Sequence, residues 1–318
     1  MRPATIVGIG AGLSLLALLG AIADWERVAT VASGINPALL AVIAAGHLVG
    51  FGCRAARWLL MLRASGLRLP WRRALAAYFG AELLGPLPAS PLVASYFLHR
   101  GGDAPVSATA PVIVAGLWVD VMVVVGGTAV LPVGTPPAVR SAAAALCACG
   151  VLAVLGLHWS KLNRLLVRLS HLLARLGRRL RPSHERWWET LEHLVSRQSE
   201  RVAVAFRPQV LAPALLLTVI PMAVGTAITA LVASTLGFPQ LTAAHAWAAA
   251  GTVMVLALVS PLPFDLGVTE GAGVVAYSWA GVPTAAALTL GLLGRFTSLT
   301  FGLTFALLAT WFLRRELH

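Results

Sequence analysis

The chain has 318 residues, of which 58% are hydrophobic and 11% charged, with a mean hydropathy of +0.83. A soluble domain carries about 25% charge, so the composition excludes an ordinary soluble enzyme and leaves an all-α integral membrane protein, a single polytopic domain over residues 1–318. The net charge of +12 does not point to nucleic acid, because most of it falls in one segment between apolar stretches, as on a cytoplasmic face beside anionic lipid.

Residues Thr5 to Ile22 are apolar behind a single Arg2. Ala21-Ile22-Ala23 has the form of a signal-peptidase site, so this stretch is either a retained first span or a cleaved leader. Pro37 to Leu62 is a second apolar run, and Arg54, Arg57, Arg63, Arg68, Arg72 and Arg73 gather at its end. The positive-inside rule places that end in the cytoplasm, with an N-in start and two crossings. Ala74 to Leu98 is apolar but interrupted by Gly85-Pro86-Leu87-Pro88-Ala89-Ser90-Pro91. Interior prolines remove backbone donors and clash with the preceding turn, and each half is too short to span alone. A re-entrant hairpin from the cytoplasm is expected here. Val106 to Leu131 then spans outward and Ser141 to Trp159 returns.

Lys161 to Arg207 holds eleven Lys/Arg against four Glu, a net of +7. Within this cytoplasmic segment (160–207), leucines from Leu162 to Leu180 recur at helical spacing opposite arginines, the pattern of an amphipathic helix on a membrane surface. It sets topology, and it can also gather anionic lipid. Val210 to Leu236 spans outward. Ala243 to Ala280 is broken by Ser260-Pro261-Leu262-Pro263-Phe264-Asp265-Leu266-Gly267-Val268-Thr269-Glu270, with no basic residue on its flanks, and is read as re-entrant from the outer face. Thr284 to Leu313 crosses inward to Arg314 and Arg315, leaving both termini in the cytoplasm of a cell inner membrane.

The two halves, about 37–131 and 210–313, match each other. Gly85-Pro86-Leu87-Pro88 aligns with Ser260-Pro261-Leu262-Pro263 at an offset of 175, Asp120 aligns with Arg295 at the same offset, and Pro105 aligns with Pro283 at 178. Span, broken hairpin, span therefore occurs twice. With the charge-derived topology this is an inverted repeat: about six spanning helices plus two re-entrant hairpins, an arrangement found in secondary transporters with a site near the midplane.

Several charges lie inside apolar stretches. Asp120 and Arg295 each cost about 3 kcal/mol or more at the bilayer centre if unpaired. A pseudo-two-fold axis would bring them together, either as an internal ion pair or as a switchable phosphate site, for which a planar guanidinium is suited. Asp265 and Glu270 are read either as helix-capping groups, with Thr269 a further capping candidate, or as functional carboxylates, proton-coupled or binding an amino headgroup, and Glu82 has the same two readings. Arg54 and Arg57 either snorkel to the interface or bind a headgroup. His47, His99 and His245 are read as satisfied polar residues, and Cys53, Cys147 and Cys149 as small hydrophobes. No metalloprotease, P-loop, dinucleotide or nucleophile-elbow pattern stands in a supporting context, so no enzyme, cofactor or metal site is expected.

Arg57-Trp58-Leu59-Leu60, the broken Pro-Leu-Pro segment, Gly267-Val268-Thr269-Glu270-Gly271 and Leu292-Leu293-Gly294-Arg295 resemble the flippase-like transmembrane domain of lysylphosphatidylglycerol synthases over nearly the whole chain. The resemblance implies movement of a lipid between leaflets: a phospholipid, aminoacyl-lipid, hopanoid or polyprenyl-linked substrate. It also implies charged site positions at Glu270 and Arg295. The first half departs, with Leu92, Val93, Ser95 and Tyr96 where relatives often carry an acid and an arginine, and Gly116-Leu117 ahead of Asp120. An asymmetric headgroup site is therefore expected. With no aminoacyl-transferase domain, synthase activity is not. Two other functions compete with translocation: a non-transporting membrane partner of a lipid-modifying enzyme, and a lipid transferase with Asp265 or Glu270 as base.

Overall fold

A chain in hydrocarbon must satisfy its own backbone polar groups, so apolar stretches of this length fold as helices. The computed structural model describes residues 36–82, 90–131, 135–158, 206–259 and 268–313, with positions 21, 26 and 204, and these hold nine helices of at least 11 residues. They are α1 (Pro37–Ala64), α2 (Trp71–Glu82), α3 (Ser90–Arg100), α4 (Val106–Val130), α5 (Pro137–His158), α6 (Pro208–Thr235), α7 (Ala243–Val259), α8 (Val268–Ser278) and α9 (Thr284–Leu313). The first apolar stretch, the cores of both Pro-rich breaks, Asp265 and almost all of the basic segment lie outside the described residues. Four of the helices, α1, α4, α6 and α9, are long and apolar enough to cross a membrane, and the chain is a multi-pass membrane protein. The 22 residues of α5 reach about 33 Å at 1.5 Å per residue, though its apolar part is shorter.

The repeat is visible in how the helices begin and end. Both α1 and α6 have proline in the first turn, where its missing N–H costs nothing. Asn36 caps α1, its side chain accepting from the Ala38 N–H at 2.8 Å. The positive-φ glycines fall in matching places. Gly66 (φ 81°) follows α1 and Gly237 (φ 86°) follows α6, while Gly102 and Gly281 (both φ 75°) follow α3 and α8. In each half the latter glycine precedes the aligned proline, Pro105 or Pro283, that opens the next long helix.

Contacts repeat as well. Each pairing has its counterpart under exchange of the halves: α4 with α7 and α9 with α2, α3 with α4 and α8 with α9, α1 with α2 and α6 with α7. Helix α5 stands outside this scheme, packed on α4.

Residue contacts fix the helix directions. Along α1, Gly46 faces Ile228 and Val224, Gly50 faces Pro221, and Arg57 meets Thr218, so α1 and α6 are antiparallel. His47 stacks on Phe301 at 5.5 Å and Phe51 meets Phe305 at 6.0 Å, so α1 and α9 are parallel. Arg57 meets Asp120, and the Gly116 position faces Met61, so α4 opposes α1. Equivalent helices of the two halves, α1 and α6 or α4 and α9, thus run in opposite directions. This is the inverted relation that the charge pattern predicts.

The halves differ in packing. The larger core lies in the first, where Trp58, Met61, Leu62, Val112, Val119 and Leu98 pack together with the alanines of α2. The second has a smaller cluster around Leu241, Ala287 and Leu290. Of the apolar windows, 39% is buried for α4 but 6% for α9, although these are repeat partners. At one crossing the halves interlock. Trp247 of α7 lies over Gly127 of α4 and donates from Nε1 to the Val124 carbonyl at 3.1 Å, while Thr128 fills the space where a Gly251 side chain would project.

Gly251→Val therefore drives α4 and α7 apart and costs about 1–3 kcal/mol through overpacking, read as a lower melting temperature in detergent. Gly225→Val is the control, since a Cβ there meets nothing within 4 Å. Equal melting of the two variants would contradict this account of the crossing.

Candidate functional site

The charges inside the apolar helices form two separate assemblies. In the first half the Arg57 guanidinium binds Asp120 through both nitrogens, Nη1 to Oδ1 and Nη2 to Oδ2, the latter at 2.8 Å. Nη1 also donates to the Thr218 hydroxyl, which itself donates to the Ala214 carbonyl at 2.9 Å. One side chain so ties α1, α4 and α6. Arg57 is 10% exposed at its side chain and Asp120 is 31%. A bidentate, charge-assisted pair is the arrangement that keeps a guanidinium stable away from water.

In the second half Arg295 of α9 donates to Glu270 of α8. Glu270 is 2% exposed and lies in the first turn of α8, where the helix dipole favours negative charge. Arg295 is 22% exposed at its side chain.

These pairs correct two expectations. Asp120 and Arg295 hold repeat-equivalent positions, but no ion pair joins them, and each is neutralised inside its own half. Arg57 does not snorkel: α4 and α6 converge on its end of α1 and enclose it. The two pairs differ in form, since the first half pairs long helix with long helix and the second pairs short helix with long helix. Ser95 stands where the first half would carry the counterpart of Glu270, and it is fully buried. Asp265 and the capping role considered for it lie outside the described residues.

Arg54 behaves differently. It is one turn from Arg57, stacks over the Phe51 ring at 4.7 Å, and lies within electrostatic reach of Tyr78, Glu82 and Asp120. Most of its surroundings are protein, yet the side chain is accessible, which is the condition of a group on a cavity wall. That cavity is about 1120 Å³, beyond the 300–1,000 Å³ of common ligand pockets. It follows α1 from Asn36 through His47 and Gly50 to Arg54. At 1.5 Å per residue this is about 27 Å, close to the thickness of a hydrocarbon core. The opposite walls come from α6, α7, α8 and α9.

The walls mix apolar side chains with hydroxyls and bare backbone. Gly225 and Thr229 of α6, and Gly291, Gly294 and Ser298 of α9, line the space, and a Cβ at any of those three glycines meets nothing within 4 Å. This feature escaped the sequence reading. Its signal was small and hydroxylated residues at i, i+3 and i+7, which also fits close helix packing. The histidines divide: His47 lines the cavity, whereas His245 meets the Thr242 hydroxyl at 2.9 Å and is a satisfied polar residue, as expected.

Asp120→Asn leaves the Arg57 charge without its partner and is expected to cost about 3–5 kcal/mol. The double variant Arg57→Gln/Asp120→Asn, which removes both charges, should melt above Asp120→Asn alone. If the double variant's loss equals the sum of the two single losses in a thermal-melt cycle, the pair is not coupled as drawn.

Among curated proteins, none matches the chain. A family model does, that of the lysylphosphatidylglycerol synthase TM region, over residues 5–306. The inverted helix directions, the short paired helices and the charged positions Glu270 and Arg295 all lie within that match, and the chain is a member of the lysylphosphatidylglycerol synthase transmembrane-region family.

Proposed function

We propose that this protein is a flippase-like translocator that moves a lipid or lipid-linked glycan between leaflets without a nucleotide site, a cofactor or a catalytic step. The observation that carries this reading is the long cavity from Asn36 to Arg54, which runs between the two halves and nearly matches the membrane in length. A headgroup travelling along it meets threonine and serine hydroxyls and glycine backbone, while its chains stay in lipid. Helices α2–α3 and α7–α8, at 11 to 17 residues each, act as re-entrant hairpins. Inverted halves can then exchange conformations so that the cavity opens to either side.

In this reading the protein sits in the cell inner membrane with both termini cytoplasmic. The end of α1 near Arg63, Arg68, Arg72 and Arg73 faces inward, so Asn36 and Thr235 mark an outward mouth. Segment 160–207 rests on anionic lipid at the cytoplasmic surface. The pairs Arg57–Asp120 and Glu270–Arg295 stay closed and serve as fixed points about which the helices move.

Two measurements bear on this. In liposomes with fluorescent phospholipids and an external quencher, the purified protein accelerates leaflet exchange, and Gly291→Leu/Gly294→Leu slows it about tenfold with an unchanged melting temperature. A folded protein that moves no lipid class would favour the membrane-partner reading instead. In intact cells, with the natural cysteines replaced, Asn36→Cys reacts with an impermeant thiol reagent. Protection of Asn36→Cys combined with labelling of Arg68→Cys would reverse the orientation.

A further inference from the structure

We propose that the amphiphile accepted by this cavity carries an anionic phosphate, and that Arg54 is the group that binds it. The inference deepens the translocator reading and rests on the cavity being its passage.

Four observations converge on Arg54. It is the one charged side chain among the described residues that line the cavity. It lies at the end of the lining opposite Asn36, where a headgroup that has entered along α1 comes to rest. It belongs to neither of the buried ion pairs, since Arg57 is committed to Asp120 and Thr218 and Arg295 to Glu270. Finally, its direction is set from behind: Phe51 stacks on its guanidinium, Tyr78 of α2 is hydrogen-bonded to it and Glu82 of the same helix supplies negative charge nearby, and none of the three lines the cavity. A guanidinium held in this way presents its remaining donors to the open space, and its planar fork matches two phosphate oxygens.

The same wall argues against a cationic headgroup. No carboxylate among the described residues lines the cavity. The buried Glu270 is turned to Arg295, and Asp120 to Arg57. An aminoacyl ammonium would meet Arg54 with no carboxylate among the described wall residues, whereas a phosphate on the cavity side adds to the negative charge that Glu82 supplies from behind. His47, two turns from Arg54 on the same face of α1, adds a further polar contact along the approach.

The test is calorimetric titration of the full-length protein in detergent with three probes. They are dihexanoyl phosphatidylmethanol, its ethyl phosphotriester (which is uncharged) and inorganic phosphate. The expected result is binding of the first about tenfold tighter than the second, loss of that preference in Arg54→Gln, and partial retention in Arg54→Lys. All variants should melt as the parent does. Equal affinity for the diester and the triester, or an unchanged preference in Arg54→Gln, would overturn the assignment. So would inorganic phosphate binding as tightly as the lipid, since the site would then belong to a free oxyanion. Leaflet exchange measured on the same preparations separates this inference from the one beneath it. Exchange without any phosphate preference removes Arg54 but leaves the translocator, while Arg54-dependent binding without exchange removes the translocator and leaves the site.

Discussion

One buried guanidinium, that of Arg57, joins three of the long helices. A guanidinium in an apolar bundle is stable only if its charge is neutralised and its donors are used. Asp120 does the first, and Asp120 with Thr218 does much of the second. Because the partners sit on α4 and α6, satisfying one arginine brings together both long helices of the first half and the first long helix of the second. It does so at one end of α1 only. Toward the other end α1 and α6 touch through glycine and aliphatic side chains, Gly46 against Ile228 and Gly50 against Pro221. Such contacts carry no comparable cost when they part. Tight charge-assisted bonding at one end and loose apolar contact at the other is an arrangement in which a cavity can open beside the second half.

That asymmetry also explains why two similar halves adopt different packing. The first half wraps Trp58, Met61 and the alanine-rich α2 into the larger core, and the second half leaves its glycine and hydroxyl faces uncovered. The counterpart of Asp120 is Arg295, so the repeat preserves a charge position while reversing its sign. Because the two do not meet, each finds its counter-ion in its own half, on α1 in one case and on α8 in the other. The two halves are therefore held by different locks.

Much of the fold was legible in the sequence. Proline positions carried it: the aligned Pro105 and Pro283 open long helices, and Pro37 and Pro208 sit in first turns. Arginine asymmetry gave helix directions that the side-chain contacts bear out. What could not be read was partnership. Whether Asp120 meets Arg57 or Arg295 depends on which long helix packs beside α4, and that place is taken by α1 and not by α9. The arginine count at the end of α1 suggested an interface for Arg57, because one helix alone does not reveal that α4 and α6 close over it. The cavity was illegible for a related reason: Gly225, Gly291 and Gly294 have the spacing of packed helices, and only the placement of the neighbours shows that nothing fills the space before them.

The central claim is that lipid enters the space between α1 and the second half. Photo-crosslinking in a native bilayer tests it most directly, using a phospholipid with a diazirine near its headgroup and mapping the adducts by mass spectrometry. The account predicts adducts on cavity residues of α1, α6 and α9, among them Gly50, Thr229 and Ser298, that disappear in Gly291→Leu/Gly294→Leu. Adducts confined to exposed outer positions such as Phe296, Leu307 and Phe312, and unchanged by that double substitution, would contradict it.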